Sequence, residues 1–332
     1  MPCTVIVGAF WGDEGKGKIV SYLALNDELD VCVRTGSVNA GHTVWYQGKK
    51  YTLHMIPSAF LRSECRLLIG AGANIHVSRF FEEINETSVK NRIGIDNQAS
   101  IIEEKHSVQD KTDTHLKGVI GTTGWGVGPA LEERVRRTAR LAKDVPQLKP
   151  YLTDVAEEVN EAIDNSRRVL LEGVQGLMLS FFYGTYPHVT GRDTTASAVC
   201  SEAGVGPKKV DNVLIVFKAY MTRVGGGSLP GELSKEESMR RGWFEISATG
   251  RERRSAPFSF ELATRAVMIN SATQAAVTKL DIAYPNARGV KHFDGLPREA
   301  KEFIAEIEGK IGIPVVLIGT GPGALDIVDR RE

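Results

Sequence analysis

Residues 12–19 read GDEGKGKI, and their types suit the handling of phosphate. Gly12, Gly17 and Lys18 match the G-x-x-x-x-G-K core of a phosphate-binding loop, where glycines let backbone N–H groups approach phosphate oxygens and a following helix N-terminus favours the anion. Two features depart from that pattern. Ile19 stands where a hydroxyl commonly ligates Mg2+, and Asp13 and Glu14 put carboxylates where an anion should sit. A carboxylate among phosphates is repulsive unless a divalent cation bridges them or a proton is being moved. The loop therefore points to phosphoryl transfer onto a substrate that also needs a base, and Asp13 is the nearest hard anionic candidate.

Three further stretches carry groups able to do chemistry. NAGHT (39–43) sets His42 in a Gly-flanked turn, where an imidazole can approach a ligand and move a proton or steady developing negative charge; taken alone it reads as a turn histidine. TKLD (278–281) resembles the guanine-reading segment of GTP-binding proteins, in which one carboxylate accepts from two adjacent N–H donors, although a solvated Lys–Asp pair would look the same. TGRERR (249–254) gathers Arg251, Arg253 and Arg254, which suit a dicarboxylate or a phosphate, or else form an exposed basic patch.

The elements that must position these groups are apolar runs: TVIVGAF (4–10), RVLLEG (168–173), NVLIVFKAY (212–220), AAVTKLDIA (275–283) and PVVLIGTG (314–321). They are apolar on successive residues, as expected of strands covered on both faces in a mostly parallel sheet. Between them, DVAEEVNEAID (154–164) spaces Val155, Val159 and Ile163 by four, and the segment from Pro297 to Ile311 sets Phe303, Ile304, Ile307 and Ile311 on one stripe. The expected fold class is α/β, a doubly wound, mostly parallel sheet with a phosphate-loop-like start and polar helical excursions over roughly 80–150. In such sheets ligands collect beyond the carboxyl ends of the strands, which is where the motifs lie. With no repeat, low-complexity segment or linker, residues 1–332 are expected to form one domain.

Composition narrows the function classes. Lys plus Arg and Asp plus Glu both total 41, so no bulk field draws the chain to nucleic acid or to membrane, and neither is expected as a partner. Cys3, Cys32, Cys65 and Cys200 are scattered, without CxxC spacing or disulfide density, which fits a reducing cytoplasm. No apolar run approaches bilayer length, and the start lacks the basic segment of a leader.

With these residues in place, the chain resembles the adenylosuccinate synthetase family from end to end, and most of all its compact archaeal branch. WGDEGKGKIV, NAGHT, GTTGWGVGPA (121–130), EGVQG (172–176), YPHVT (186–190), KAYMTRVG (218–225), TGRERR, TKLD and GTGP (319–322) occur in the family's order. The resemblance implies a carbon–nitrogen ligase. A nucleoside triphosphate phosphorylates O6 of a 6-oxopurine nucleotide, and the amino group of L-aspartate then displaces phosphate at C6. It implies that Asp13 takes the N1 proton and, with the Gly41 carbonyl, holds Mg2+, while His42 steadies charge on O6 and the phosphoryl group. Gly12, Glu14, Gly15, Lys16, Gly17, Lys18, Gly41, Thr43, Arg253, Lys279, Asp281, Gly319, Thr320, Gly321 and Pro322 are implied at the triphosphate. Asp13, Ser21, Asn39, Thr122, Thr123, Gln175, Leu179, Thr190 and Arg251 are implied at the purine monophosphate, with Arg137 reaching its phosphate from a neighbouring subunit of a homodimer. Ala248, Thr249, Gly250, Arg251 and Arg253 are implied at aspartate.

The chain departs from the family phrase at Phe10, where Gln is usual, and at Ser21, where Asp is usual; Glu252 replaces a common arginine and Trp125 one found in bacterial members. With Asp13 and His42 intact, these changes point to altered specificity. Phage-encoded synthases for 2-aminoadenine DNA have such a profile: they take dGMP in place of IMP, with ATP or dATP as donor, in the host cytoplasm. Ser21 would offer room and an acceptor to the 2-amino group, which left buried and unpaired would cost about 1–3 kcal/mol. The leading expectation is thus dGMP converted to 2-amino-2′-deoxy-N6-succinyladenylate, and the alternative is IMP with GTP, for which Asp281 argues. A nucleotide-switch GTP-binding protein is a third reading, which would hydrolyse triphosphate without aspartate and leaves NAGHT and TGRERR without a role.

Overall fold

The computed structural model describes residues 3–246 and 250–331. Ala248 and Thr249, two of the implied aspartate residues, lie outside the described residues. Ten strands form one sheet in the order Ile327–Asp329, Val315–Gly319, Gln274–Thr278, Asn212–Lys218, Cys3–Gly8, Val169–Glu172, Val31–Arg34, Arg66–Ile69, Ile93–Asp96 and Leu152–Thr153. Every neighbouring pair is parallel except the first, where Ile327–Asp329 runs antiparallel. The α/β expectation is met, and the five apolar runs are five adjacent strands.

Those strands read as unbroken apolar runs because both faces are covered. Asn212–Lys218, Val169–Glu172 and Val315–Gly319 are buried at every residue. The pleat sends Val5, Val7, Leu171, Ile215 and Phe217 into one core and Ile6, Leu170, Leu214 and Val216 into the other. The helices Phe260–Asn270 and Arg298–Ile311 pack against the first core, and the helix Lys16–Asn26 against the second. Arg298–Ile311 buries Ala300, Ile304, Ile307 and Ile311 and stops at Gly312, whose left-handed φ of 73° suits glycine. Val155–Asp164 begins at Asp154, whose side chain accepts the Glu157 N–H, and buries Val155 and Val159.

The stretch 80–150 supplies the expected helices, Glu104–Thr112 and Val127–Arg136 among them, but Ile93–Asp96 joins the sheet. Four residues are too few to register as a period. Outside the main sheet, the hairpin His42–Tyr46 with Lys49–Leu53 carries His42, and a three-stranded sheet of Met221–Arg223, Glu252–Ala256 and Glu245–Ile246 carries Arg253. Among the described residues no helix is long and apolar enough to cross a membrane.

Candidate active site

The phosphate-loop segment turns through three left-handed residues, Gly12 (φ 84°), Asp13 (φ 61°) and Gly15 (φ 85°), before the helix Lys16–Asn26 begins. Aspartate tolerates that region better than most residues with a Cβ. Glu14 braces the turn from inside: it is fully buried, Oε1 accepts the Phe10 and Gly12 N–H groups at 2.9 Å each, and Oε2 accepts from Lys16 Nζ at 2.7 Å. Lys16 also donates to the Gln175 carbonyl. Lys18 donates to the carbonyls of Gly321 (2.5 Å) and Asp326 (2.8 Å), and burial brings its pKa down to about 8. The side chains of Glu14, Lys16 and Lys18 thus hold the loop together. What the loop presents to an anion is the backbone N–H groups of a helix start that has no side-chain cap.

Two neighbours close on this turn. Thr278, the last residue of its strand, donates its hydroxyl to the Glu14 carbonyl at 2.7 Å. A Cβ on Gly17 would come within 2.9 Å of the His42 Cβ, so glycine is what lets NAGHT dock against the loop.

His42 is buried on a carboxylate that the sequence reading did not single out. Its Nδ1 lies 2.5 Å from Glu172 Oε1, which also accepts the Ser58 hydroxyl at 2.5 Å and Arg34 Nη1 at 3.2 Å, while Glu172 Oε2 accepts the Ser58 N–H at 2.7 Å. Burial pushes Glu172 up, but Arg34, His42 and Ser58 outweigh it and hold the carboxyl at about 2. Burial and the Arg34 charge bring His42 down to about 4. The neutral ring therefore donates its Nδ1 proton to Glu172 and keeps a lone pair on Nε2, which is buried without a hydrogen-bond partner. As it stands Nε2 can accept a proton; to steady negative charge, as the resemblance implies, it must first be protonated.

Both groups make stability fall with acid. His42 binds its proton in the native state only near pH 4, whereas the unfolded chain does so near its ordinary value, so stability drains as pH falls from about 6.5 to 4, by roughly 3 kcal/mol at most. Glu172 has the same sign lower down: its contribution is present above its ordinary value and lost as pH falls through about 2. Urea midpoints measured against pH should decline over both windows, and His42→Asn should flatten the upper one while leaving the lower.

Across the cleft, Arg253 faces Asp13 with the Nε–Nη2 edge of its guanidinium: Nη2 donates to Oδ1 at 2.9 Å and Nε lies 2.8 Å from Oδ2. Each carboxylate oxygen keeps a second lone pair, so Asp13 and the exposed Gly41 still offer the hard oxygen donors that Mg2+ takes. Asp281 is buried beyond the end of Gln274–Thr278, its pKa raised by burial, and its Oδ1 has no hydrogen-bond partner, as an acceptor kept for a ligand's N–H groups would have. Thr320 of GTGP is fully buried and donates to the Val290 carbonyl at 2.8 Å, so its hydroxyl supports the loop.

Three of the residues implied at the monophosphate, Gln175, Leu179 and Thr190, lie beside Gly12. Gln175 and Leu179 are the nearest groups to a Cβ built on Gly12, and Gln175 Nε2 donates to the Thr190 hydroxyl at 2.9 Å. Arg251 Nη1 donates to the Gly121 carbonyl at 2.8 Å, which brings TGRERR to the loop of Thr122 and Thr123. Thr122 itself donates to Asp110 at 2.8 Å. Arg137 is exposed at the end of Val127–Arg136. Ser21 is fully buried and donates its hydroxyl to the Ser58 carbonyl at 2.7 Å.

The other departures also have local explanations. Phe10 packs against Phe217 and Phe258 at centroid distances of 5.6 and 5.3 Å. Trp125 lies edge-on to His76 at 5.5 Å, and exposed Glu252 pairs with Lys235 at 3.3 Å. Glu103, His106 and Glu133 form a metal-like cluster away from the cleft. There His106 Nδ1 accepts the Glu103 N–H at 3.0 Å, and Lys105 pairs with Glu103 at 3.2 Å and with Glu133 at 2.8 Å, which makes the cluster an ion-pair network.

The sequence profile of the adenylosuccinate synthetase family matches residues 5–147 and 138–286, most of the chain. This chain belongs to the adenylosuccinate synthetase family. Adenylosuccinate synthetases of Pyrococcus horikoshii and Methanocaldococcus jannaschii are 51% and 47% identical to it, each over 100% of this chain and 99% and 98% of their own length. The structure of fully ligated adenylosuccinate synthetase from Plasmodium falciparum superposes with a TM-score of 0.91 at 26% identity, over 99% of both chains. Membership makes the protein a carbon–nitrogen ligase, and the adenylosuccinate synthetases require Mg2+. A cyanophage S-2L succinoaminodeoxyadenylate synthetase bound to dGMP and dATP shares the fold, with a TM-score of 0.84 over 100% of this chain and 96% of that one, but at 23% identity the likeness extends no further.

Proposed function

We propose that this protein uses IMP and GTP, joining L-aspartate to C6 of IMP through a 6-phosphoryl intermediate. The observation that carries the reading is the convergence at the phosphate loop: the Asp13 carboxylate, the uncapped helix start and His42 meet where a base must act beside a transferring phosphoryl group. The IMP reading replaces the leading dGMP expectation. Its support is the set of full-length archaeal relatives at 45% identity or better, all adenylosuccinate synthetases. The expectations tied to dGMP, an ATP or dATP donor and a phage origin, lose their ground with it.

In this reading Asp13 takes the N1 proton as O6 attacks, and the backbone N–H groups at the start of Lys16–Asn26 hold the triphosphate. Asp13 and the Gly41 carbonyl would hold Mg2+, which when bound offsets phosphate charge. Asp281 reads the guanine edge of the donor. Gln175 and Thr190 hold the purine monophosphate, Arg251 serves ribose and aspartate, and exposed Arg137 reaches the phosphate of a second protomer in a cytoplasmic homodimer.

Purified protein with aspartate and Mg2+, offered IMP, GMP or dGMP against GTP, ATP or dATP, tests the choice. Product should form from IMP with GTP and depend on aspartate. Robust product from dGMP with little from IMP would restore the dGMP reading, and triphosphate hydrolysis independent of aspartate would point to a nucleotide switch.

A further inference from the structure

A second carboxylate, Glu245, gathers several donors in the cleft. Glu245 Oε1 accepts from Lys218 Nζ at 2.8 Å and the Tyr220 hydroxyl at 2.6 Å, with Lys279 Nζ at 3.7 Å, and Oε2 accepts from Arg253 Nη1 at 2.6 Å. These donors are held in place. Tyr220 stacks on Trp243, centroids 4.6 Å apart and rings within 3° of parallel, and Lys218 sits 4.4 Å above the Tyr220 ring. Glu245 and Arg253 face each other in the antiparallel ladder, so both side chains leave the same face of the small sheet. The opposite edge of the Arg253 guanidinium is the one that binds Asp13.

A guanidinium is a rigid planar fork, so holding Nη1 fixes where Nε and Nη2 can reach. We propose that Glu245 is a positioning residue for the ligase reaction: it anchors Arg253 by Nη1, so that the Nε and Nη2 edge can pass from Asp13 to the carboxylate or terminal phosphate of an incoming co-substrate without leaving the cleft. This rests on the proposed function for the identity of the co-substrate. Arg253 in its present place is paired with the residue that is to take a proton, and a second anion of the right reach releases it. Glu245 itself touches no substrate. The competing explanation is that Glu245 only neutralises Lys218, whose side chain is 2% exposed and would otherwise be a buried, unpaired ammonium.

The variant pair Lys218→Met and Glu245→Gln/Lys218→Met separates the two, because the double variant removes the buried ammonium along with its counter-ion. With the anchor gone, kcat/KM for aspartate should fall about tenfold or more relative to Lys218→Met, with KM for IMP within about twofold. Equal kcat/KM for aspartate in the two variants would overturn the proposal and leave Glu245 a counter-ion. A second measurement needs no folded variant of Glu245. In ligand-free wild-type protein labelled with 15N-arginine, and with Arg253 assigned through Arg253→Lys, rotation of the guanidinium should be slow enough to resolve its Nη signals. A single averaged signal would overturn the anchor. Wild-type protein that makes no product from IMP and aspartate would sink the ligase reading, while the NMR result still decides whether Glu245 fixes Arg253.

Discussion

Asp13→Asn is expected to lower turnover by about three orders of magnitude while the protein remains folded, since a positioned general base contributes of the order of 10²–10⁴. Asparagine is the informative replacement. It nearly matches aspartate in shape and tolerates the left-handed φ of 61° that residue 13 adopts, so the turn survives while the ability to take a proton is lost. It also weakens the ion pair with Arg253, which is solvent-accessible and contributes little to stability. Steady-state kinetics with a thermal melt on the same sample check both halves of the expectation. A variant within about tenfold of wild type would mean that the proton leaves by another route, and His42 Nε2 is the next acceptor in the cleft.

The second large effect falls on Glu172. Replacing it with Ala strands Arg34, whose side chain is 2% exposed, and removes the acceptor of both Ser58 donors; loss of one member of such a buried pair costs about 3–5 kcal/mol. Urea unfolding of Glu172→Ala against wild type reads that loss. Activity should fall with it, because His42 loses the group that sets its tautomer. Glu172→Gln isolates this second role: it keeps the volume, and an amide N–H facing Nδ1 would shift the ring proton to Nε2. The 15N shifts of the His42 imidazole report where the proton lies, and a ring unchanged from wild type would show that Glu172 does not set it.

Much of this site was legible along the chain because its parts sit at the ends of apolar runs. EGVQG and KAYMTRVG were marked as motifs, yet Glu172 and Lys218 within them were given no role, since a carboxylate's partner cannot be read from its own segment. Arg34 and Ser58 carry no local signal at all: VCVR is too short to show a period, and Ser58 matters for a backbone N–H as much as for its hydroxyl. Ser21 is the opposite case: its departure from the family phrase is visible along the chain, but its bond to the Ser58 carbonyl, 37 residues away, is not.

The sequence by itself determined the sheet, the family and the order of the motifs, because continuous apolar runs can be satisfied only by strands covered on both faces, and glycine spacing limits where backbone can meet phosphate. Only the tertiary structure decided which charges meet. Lys16 and Lys18 are spent on Glu14 and on two carbonyls, His42 on Glu172, and Arg253 on Asp13 and Glu245. The reason is that an ion pair forms between side chains 240 residues apart as readily as between neighbours. Its partner is set by the crossing of strands and loops, which no local pattern records.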